Sequence, residues 1–220
     1  MKTIAKNILT VLIRLVSFVY TYSLSLRLTR YRNSLYTMWI RNFLGKLGEK
    51  SSIHYPCSLQ GGGSSRISIG SNTCIHSHCI LGCWESYNTH NAKGILFEQH
   101  FAPEIVIGSN CSIGEYTQIT AINKITIGDG LLTGRYVYIG DNSHGGLSIE
   151  ESVIPPVRRR LKSKGEIKIG NNVWIGDKVT ILAGVAIGEN VIIGANTVVT
   201  HDVSSNSIVV GMPAKIIKSL

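Results

Sequence analysis

Between residues 167 and 203 the chain repeats itself every six residues, and few folds accommodate that period. An aliphatic side chain recurs at Ile169, Ile175, Ile181, Ile187, Ile193 and Val199. A second apolar or β-branched position follows each by four residues, at Val173, Val179, Val185, Val191, Thr197 and Val203. A helix repeats its apolar face every 3.6 residues, so six excludes it. Short extended strands joined by tight corners satisfy the pattern. Two positions of each six point inward, and Gly, Asn or Asp takes the corner, where positive φ is least costly. Repetition of this kind predicts a parallel β-helix.

The same phase is legible upstream, at Ile67, Ile69, Ile75 and Leu81, and again at Ile107, Ile113 and Ile119. Ile107 follows Leu81 by 26 residues, which is no multiple of six, so residues 83–104 contain an excursion. A slip of two precedes Ile127, Thr133 and Ile139. A second excursion covers residues 145–166, with Pro155, Pro156 and the run Arg158, Arg159, Arg160. Loops of this length in a compact repeat are usually functional or disordered. Stacked coils stabilise only their neighbours, so the ends need covers. The segment before the repeats would cover the first coil, and the tail around Gly211 the last.

Two domains are expected, a helical segment over 1–50 and the β-helix over 51–220. The formal charge of +9 sits almost wholly in the first, which holds nine Lys/Arg against the single acid Glu49. The near-neutral repeat body speaks against a nucleic-acid partner. In the first apolar stretch, residues 7–26, the positions Asn7, Thr10, Arg14, Ser17 and Thr21 share one helical face opposite Ile4, Ile8, Val11, Leu12, Leu15, Phe18 and Val19. Arg14 at a bilayer centre would cost ~2.5–3.5 kcal/mol, which argues against a span. The stretch lacks a signal-type cleavage site. A second amphipathic stretch over 28–47 sets Arg27, Arg30, Arg41 and Lys46 beside Tyr31, Leu35, Met38, Trp39 and Phe43. Basic, aromatic-bearing helices suit an anionic membrane surface. The expectation is a cytoplasmic protein peripheral to the inner face of the membrane, with packing on the β-helix or its oligomer as the alternative.

Five cysteines at irregular spacing do not form a disulfide framework, and Cys79 and Cys111 fall in inward slots as buried thiols of a reducing compartment. The run Cys74, His76, His78, Cys79, Cys83 lies within one ten-residue span whose alternation divides the side chains between inside and outside. No metal site is expected there.

Asn142-Ser143-His144-Gly145, then Pro155-Pro156, Ser163-Lys164-Gly165, Val173-Trp174-Ile175-Gly176, Val199-Thr200-His201-Asp202 and Gly211-Met212-Pro213-Ala214-Lys215 resemble the hexapeptide-repeat acetyltransferases. The resemblance covers roughly 65–220. It is nearest to the branch that acetylates capsule, O-antigen and other bacterial polysaccharide sugars, beside the galactoside and maltose enzymes. It implies a left-handed β-helix, a homotrimer, and acetyl-CoA held between subunits. In the resemblance His144 is the catalytic base. An acceptor hydroxyl is a weak nucleophile until a base takes its proton, and an imidazole titrating near ~6.5 suits that task. Asp141 and Asn142 are candidates to orient it. Ser143 and His144 alternate along an extended chain, so they do not form an acyl-enzyme pair, and direct transfer is expected. Carried over residue by residue, the coenzyme set is Trp174, Gly176, Asp177, Ala195, Thr200, Lys215 and Lys218. Where the sugar acetyltransferases place acceptor residues on earlier coils, this chain has Gly114-Glu115 and Ala121-Ile122 instead. The expected activity is O-acetylation of a saccharide acceptor belonging to a bacterial surface polysaccharide or its precursor. The alternatives are a free sugar, a nucleotide sugar or an antibiotic as acceptor, or a non-catalytic scaffold, which would need neither His144 nor Trp174.

Overall fold

The repeat residues build three parallel sheets wound as a left-handed β-helix. The computed structural model describes residues 2–90, 96–146 and 148–219. Residues 91–95 of the first excursion and Leu147 of the second lie outside the described residues. The first sheet stacks Lys46–Leu47, Ile67–Ile69, Glu104–Ile107, Lys124–Ile127, Ile167–Ile169 and Ala186–Ile187. The second runs from Ser52–Ile53 through Cys74–Ile75, Ser112–Ile113, Leu132–Thr133, Trp174–Ile175 and Ile192–Ile193 to Ser207–Val210. The third runs from Ser58–Gln60 through Ile80–Cys83, Gln118–Ala121, Tyr138–Gly140 and Thr180–Ile181 to Val198–Val199.

Every inward position expected between 169 and 203 is buried, Thr197 included. Each fully buried aliphatic side chain contributes ~1.5–3 kcal/mol, so the thin column holds the coils together by number. The corners carry the backbone cost. Asn172, Asn190 and Asn206 sit at φ 56°, 56° and 58°. Their amides chain together, Asn172 Nδ2 donating to Asn190 Oδ1 (3.4 Å) and Asn190 Nδ2 to Asn206 Oδ1 (3.0 Å). The left-handed conformation that asparagine tolerates thus becomes a polar ladder.

The slip of two is a step at Ile122 and Asn123, between the strands Gln118–Ala121 and Lys124–Ile127. The first excursion is an antiparallel hairpin, Ser86–His90 with Leu96–His100. The second leaves after Tyr138–Gly140 and returns by pairing Ser143–His144 with Leu161–Lys162.

The N-terminal segment differs from its expected periodicity. Helix α1 spans Lys2–Val19 and α2 spans Tyr22–Ile40. The break falls at Thr21, whose side chain leaves the expected polar stripe and accepts the Leu24 N–H (3.2 Å) as an N-cap. Lys46–Leu47 is already a strand of the first sheet, paired with Ser68 and Ile69. α2 covers the first coil. Thr37 Oγ1 donates to Ile53 O and accepts from Ile53 N, both at 3.0 Å, and Ile40 joins the core. α1 buries no residue, and Phe18 is 85% exposed. Among the described residues no single helix is long and apolar enough to cross a membrane. Lys2–Val19 and Tyr22–Phe43 reach that length and composition only as a pair bent by 59°. At the other end Lys215–Ser219 folds back antiparallel on Ser207–Val210.

Candidate active site

The third sheet meets the first along one edge of the prism, and both excursions converge there. The coil carrying Tyr138–Gly140 ends in Asp141, fully buried, with its carboxylate held by backbone donors. Oδ1 accepts the Ile122 N–H (2.8 Å) and Oδ2 the Asn123 N–H (2.9 Å), while Asn142 Nδ2 donates to Oδ1 at 3.3 Å. Burial raises the pKa of Asp141, and these hydrogen bonds pull against it. Asp141 therefore clamps the step in the preceding coil to the root of the loop.

His144 projects from the short strand beyond that clamp, its ring exposed. Its Nδ1 lies 3.4 Å from Tyr87 Oη, and the two rings meet edge to face at 5.5 Å. Tyr87 comes from the hairpin, 57 residues earlier. The two excursions are bound to each other around this contact. Gln99 Nε2 donates to Leu161 O (3.1 Å), Leu161 N donates to Gln99 Oε1 (2.8 Å), and the Arg160 guanidinium lies 5.1 Å from the Phe97 ring centre.

Two clefts share the wall made by Asn142, Ser143 and His144. The smaller, ≈ 290 Å³, adds Trp84, Tyr87, Gln118, Thr120, Tyr138 and Leu161. The larger, ≈ 600 Å³, runs along the edge past Lys162, Lys164, Leu182 and Ala183 to Thr200 and His201. The Lys162 ammonium is paired with Glu151 at 2.5 Å.

The descending coils match the bacterial transferase hexapeptide model, six repeats, over residues 166–201. The chain is 32% identical over 170 residues to Escherichia coli (strain K12) WbbJ, whose name assigns it to lipopolysaccharide biosynthesis O-acetyl transfer. That match covers 76% of this chain and 77% of the relative. The chain belongs to the hexapeptide-repeat acetyltransferase family. Galactoside O-acetyltransferase from the same strain is 34% identical over 125 residues, covering 54% of this chain and 56% of the relative. The crystal structure of AntD, an N-acyltransferase from Bacillus cereus bound to dTDP and 3-hydroxybutyryl-CoA, shares the fold. It gives a TM-score of 0.62 at 23% identity, covering 83% of this chain and 86% of that one.

In this acetyltransferase the residues expected at the coenzyme divide among three surfaces. Thr200 lines the large groove with His144. Trp174 lies on the outward side of the second sheet, the face opposite that edge, and is 53% exposed. It stands in register with Ile192, Ile208 and Lys218, a single outward row across the sheet. Lys215 sits on the same terminal strand, opposite Val210. Gly176, Asp177 and Ala195 occupy the corner between the second and third sheets. A Cβ on Gly176 would stand 2.6 Å from the Ala195 backbone N, so close coil stacking requires the glycine. The Asp177 carboxylate accepts the Arg135 N–H at 2.7 Å. One chain thus brings His144, Asn142 and Thr200 together, and leaves Trp174, Gly176, Asp177, Ala195, Lys215 and Lys218 on other faces.

Asp141 binds Ile122, Asn123 and Asn142, and the ring partner of His144 is Tyr87. Sequence reasoning missed Tyr87. Its signal was membership of an excursion that also holds Trp84 and Phe101, without any spacing to tie it to residue 144. Lys164, also unassigned from sequence, contributes a cation to the large groove.

Proposed function

We propose that this acetyltransferase moves an acetyl group from acetyl-CoA to a sugar hydroxyl of a bacterial surface polysaccharide or its precursor, with His144 as general base. The observation that carries the reading is that His144 is a wall common to two clefts of unequal size. A ternary complex needs this arrangement, donor on one side, acceptor on the other, and the base between. The groove toward Thr200 suits an extended thioester. The smaller cleft joins aromatic faces from Trp84, Tyr87 and Tyr138 to polar groups from Gln118, Thr120 and Asn142. Such a lining matches a sugar, which offers apolar C–H faces and a rim of hydroxyls.

In the transfer, the His144 tautomer protonated on Nδ1 gives that proton's hydrogen bond to Tyr87 Oη and leaves Nε2 free as base. Nε2 takes the acceptor proton as the oxygen attacks the thioester carbonyl. Collapse of the tetrahedral intermediate breaks the C–S bond, and the imidazolium returns the proton to the leaving thiolate. One C–O bond forms and one C–S bond breaks, with no acyl-enzyme. The second-sheet row of Leu132, Trp174, Ile192 and Ile208 gives an apolar strip for a neighbouring subunit. This supports a homotrimer in which that face, with Lys215 and Lys218, completes the donor groove of the next copy. The basic α1–α2 segment, whose α1 buries no residue, supports a peripheral position on the inner face of the cytoplasmic membrane, beside lipid-linked saccharides.

The test is coenzyme release from acetyl-CoA across a panel of saccharide acceptors, with mass spectrometry of the products. His144→Ala should fold and assemble normally while turnover falls ~10²–10⁴-fold. Near-native turnover in that variant would remove His144 as the base. Acetylation of non-sugar acceptors alone would overturn the substrate class.

A further inference from the structure

We propose that His54, Cys74 and His76 form a zinc site on the outward face of the second sheet, near the start of the β-helix. The register creates it. Ser52 pairs with Cys74 and Ile53 with Ile75, so His54 lies beside His76 on the neighbouring coil. Ile53 and Ile75 point inward and are fully buried, which turns residues 54, 74 and 76 outward together. Backbone bonds fix both histidines, His54 N donating to Ile75 O and His76 N to Ile113 O, each at 2.9 Å.

The three ligand atoms lie within 4.8 Å of one another. Cys74 Sγ is 3.6 Å from His54 Nε2, and the two imidazoles meet edge to face with centres 5.2 Å apart. Tetrahedral zinc, with Zn–S ≈ 2.3 Å and Zn–N ≈ 2.0–2.1 Å, holds S and N about 3.5 Å apart and two N atoms about 3.3 Å apart. The edge from Cys74 Sγ to His54 Nε2 is therefore already at length, and rotation of the imidazoles closes the other two. Ser52 Oγ at 3.5 Å from the sulfur and Ser112 Oγ at 3.3 Å from His76 Nε2 supply polar neighbours of the kind that orient ligands. His54 also borders an open groove of ≈ 370 Å³ between α2 and the first coils, giving solvent a path to the fourth coordination position.

The donor set distinguishes this site from an activated nucleophile. One imidazole suffices to activate a thiol, whereas two imidazoles and one sulfur converging from two coils form the mixed N/S set that zinc prefers. Cys74 is only half-buried, and its sulfur lies within reach of both His54 Nε2 and Ser52 Oγ. The other cysteines differ: Cys57, Cys79, Cys83 and Cys111 are buried, and burial pushes their thiols up. The expectation of no metal came from weighing residues 74–83 as one contiguous motif. His78, Cys79 and Cys83 take no part, and the third ligand comes from the preceding coil. The site lies across the prism from the His144 edge, so its role is to pin the first coils together.

The full-length protein, stripped with a chelator, reloaded with zinc and dialysed, should retain about one zinc per chain and melt at higher temperature than the stripped form. Cys74→Ser and His76→Gln should bind zinc at least ~100-fold more weakly, beyond the 10–100-fold typical of losing a supporting residue. Cobalt(II) loading should produce a thiolate-to-metal charge-transfer band in the wild type that is absent from Cys74→Ser. If Cys74→Ser does not fold, His54→Asn and His76→Gln carry the same comparison. The proposal is overturned by wild-type protein holding under about a tenth of an equivalent. It is equally overturned by variants that keep wild-type zinc, or by cobalt bound without a sulfur band. Zinc occupancy and the cobalt band are read without turnover, so a failed zinc assay would leave the acetyltransfer reading intact.

Discussion

Replacing Asp141 by Asn separates a structural role from a catalytic one. The two carboxylate oxygens accept two different backbone donors, Ile122 N–H and Asn123 N–H, in a fully buried position. An amide of the same shape offers one acceptor, and its NH₂ then faces an N–H. Leaving a buried donor unpaired costs ~1–3 kcal/mol. The surviving bond loses its charge assistance, worth roughly another 1 kcal/mol. Against these stands relief from burying a carboxylate, the effect that raises the pKa of Asp141. The net expectation is ~1–3 kcal/mol of destabilisation. For a chain of this size that lowers Tm by ~3–10 °C. Asp141→Ala removes both acceptors and opens a void, and should cost more. The assay is denaturant and thermal unfolding beside steady-state turnover, both at a temperature where all variants are folded. Because the ring of His144 meets Tyr87, kcat should stay within ~3-fold of wild type in Asp141→Asn. A variant of unchanged stability would refute the clamp. A stable variant with turnover down ~100-fold would restore Asp141 as the group that orients His144.

Tyr87→Phe keeps the edge-to-face contact and deletes a long, partly exposed hydrogen bond, so kcat should fall ~2–5-fold at constant KM for acetyl-CoA. A loss above ~100-fold would mean that the phenol takes part in proton transfer. Removing residues 2–19 takes away a helix with no buried residue, so the β-helix should melt as before and acetylate a soluble acceptor at the full rate. The full-length protein should sediment with anionic liposomes and be only partly released by salt, since each basic residue near the surface adds ~1 kcal/mol that salt screens. Equal sedimentation of both forms would refute membrane binding by α1.

The coils of 167–199 were legible because their strands pair at a constant eighteen residues, Lys168 with Ala186, Trp174 with Ile192 and Thr180 with Val198. Upstream the offset changes from coil to coil. Ser52 pairs with Cys74 after 22 residues, Cys74 with Ser112 after 38, and Ser112 with Leu132 after 20. Inward aliphatics announce themselves at any offset, but which outward side chains become neighbours depends on it. His54 beside His76 was hidden for that reason. Tyr87 was hidden differently, because a hairpin that leaves the stack is placed by contacts such as Gln99 with Leu161, which have no period. His144 itself was legible through family likeness, while the roles of Asp141 and Thr21 depended on which backbone donors each could reach.

The mutual grip of the two excursions has a consequence for how such a protein can change. Strand spacing of ~4.8 Å makes the stack a fixed ladder, and adding or deleting a rung would shift every residue beyond it out of line with the larger groove. The smaller cleft escapes that constraint. Trp84, Tyr87 and Leu161 belong to insertions held by each other, so their lengths can drift without moving a coil. New linings of that cleft can therefore be explored at little risk to the fold, provided the two insertions change together. A loop transplanted alone from a relative would arrive without its counterpart and leave His144 without its ring contact.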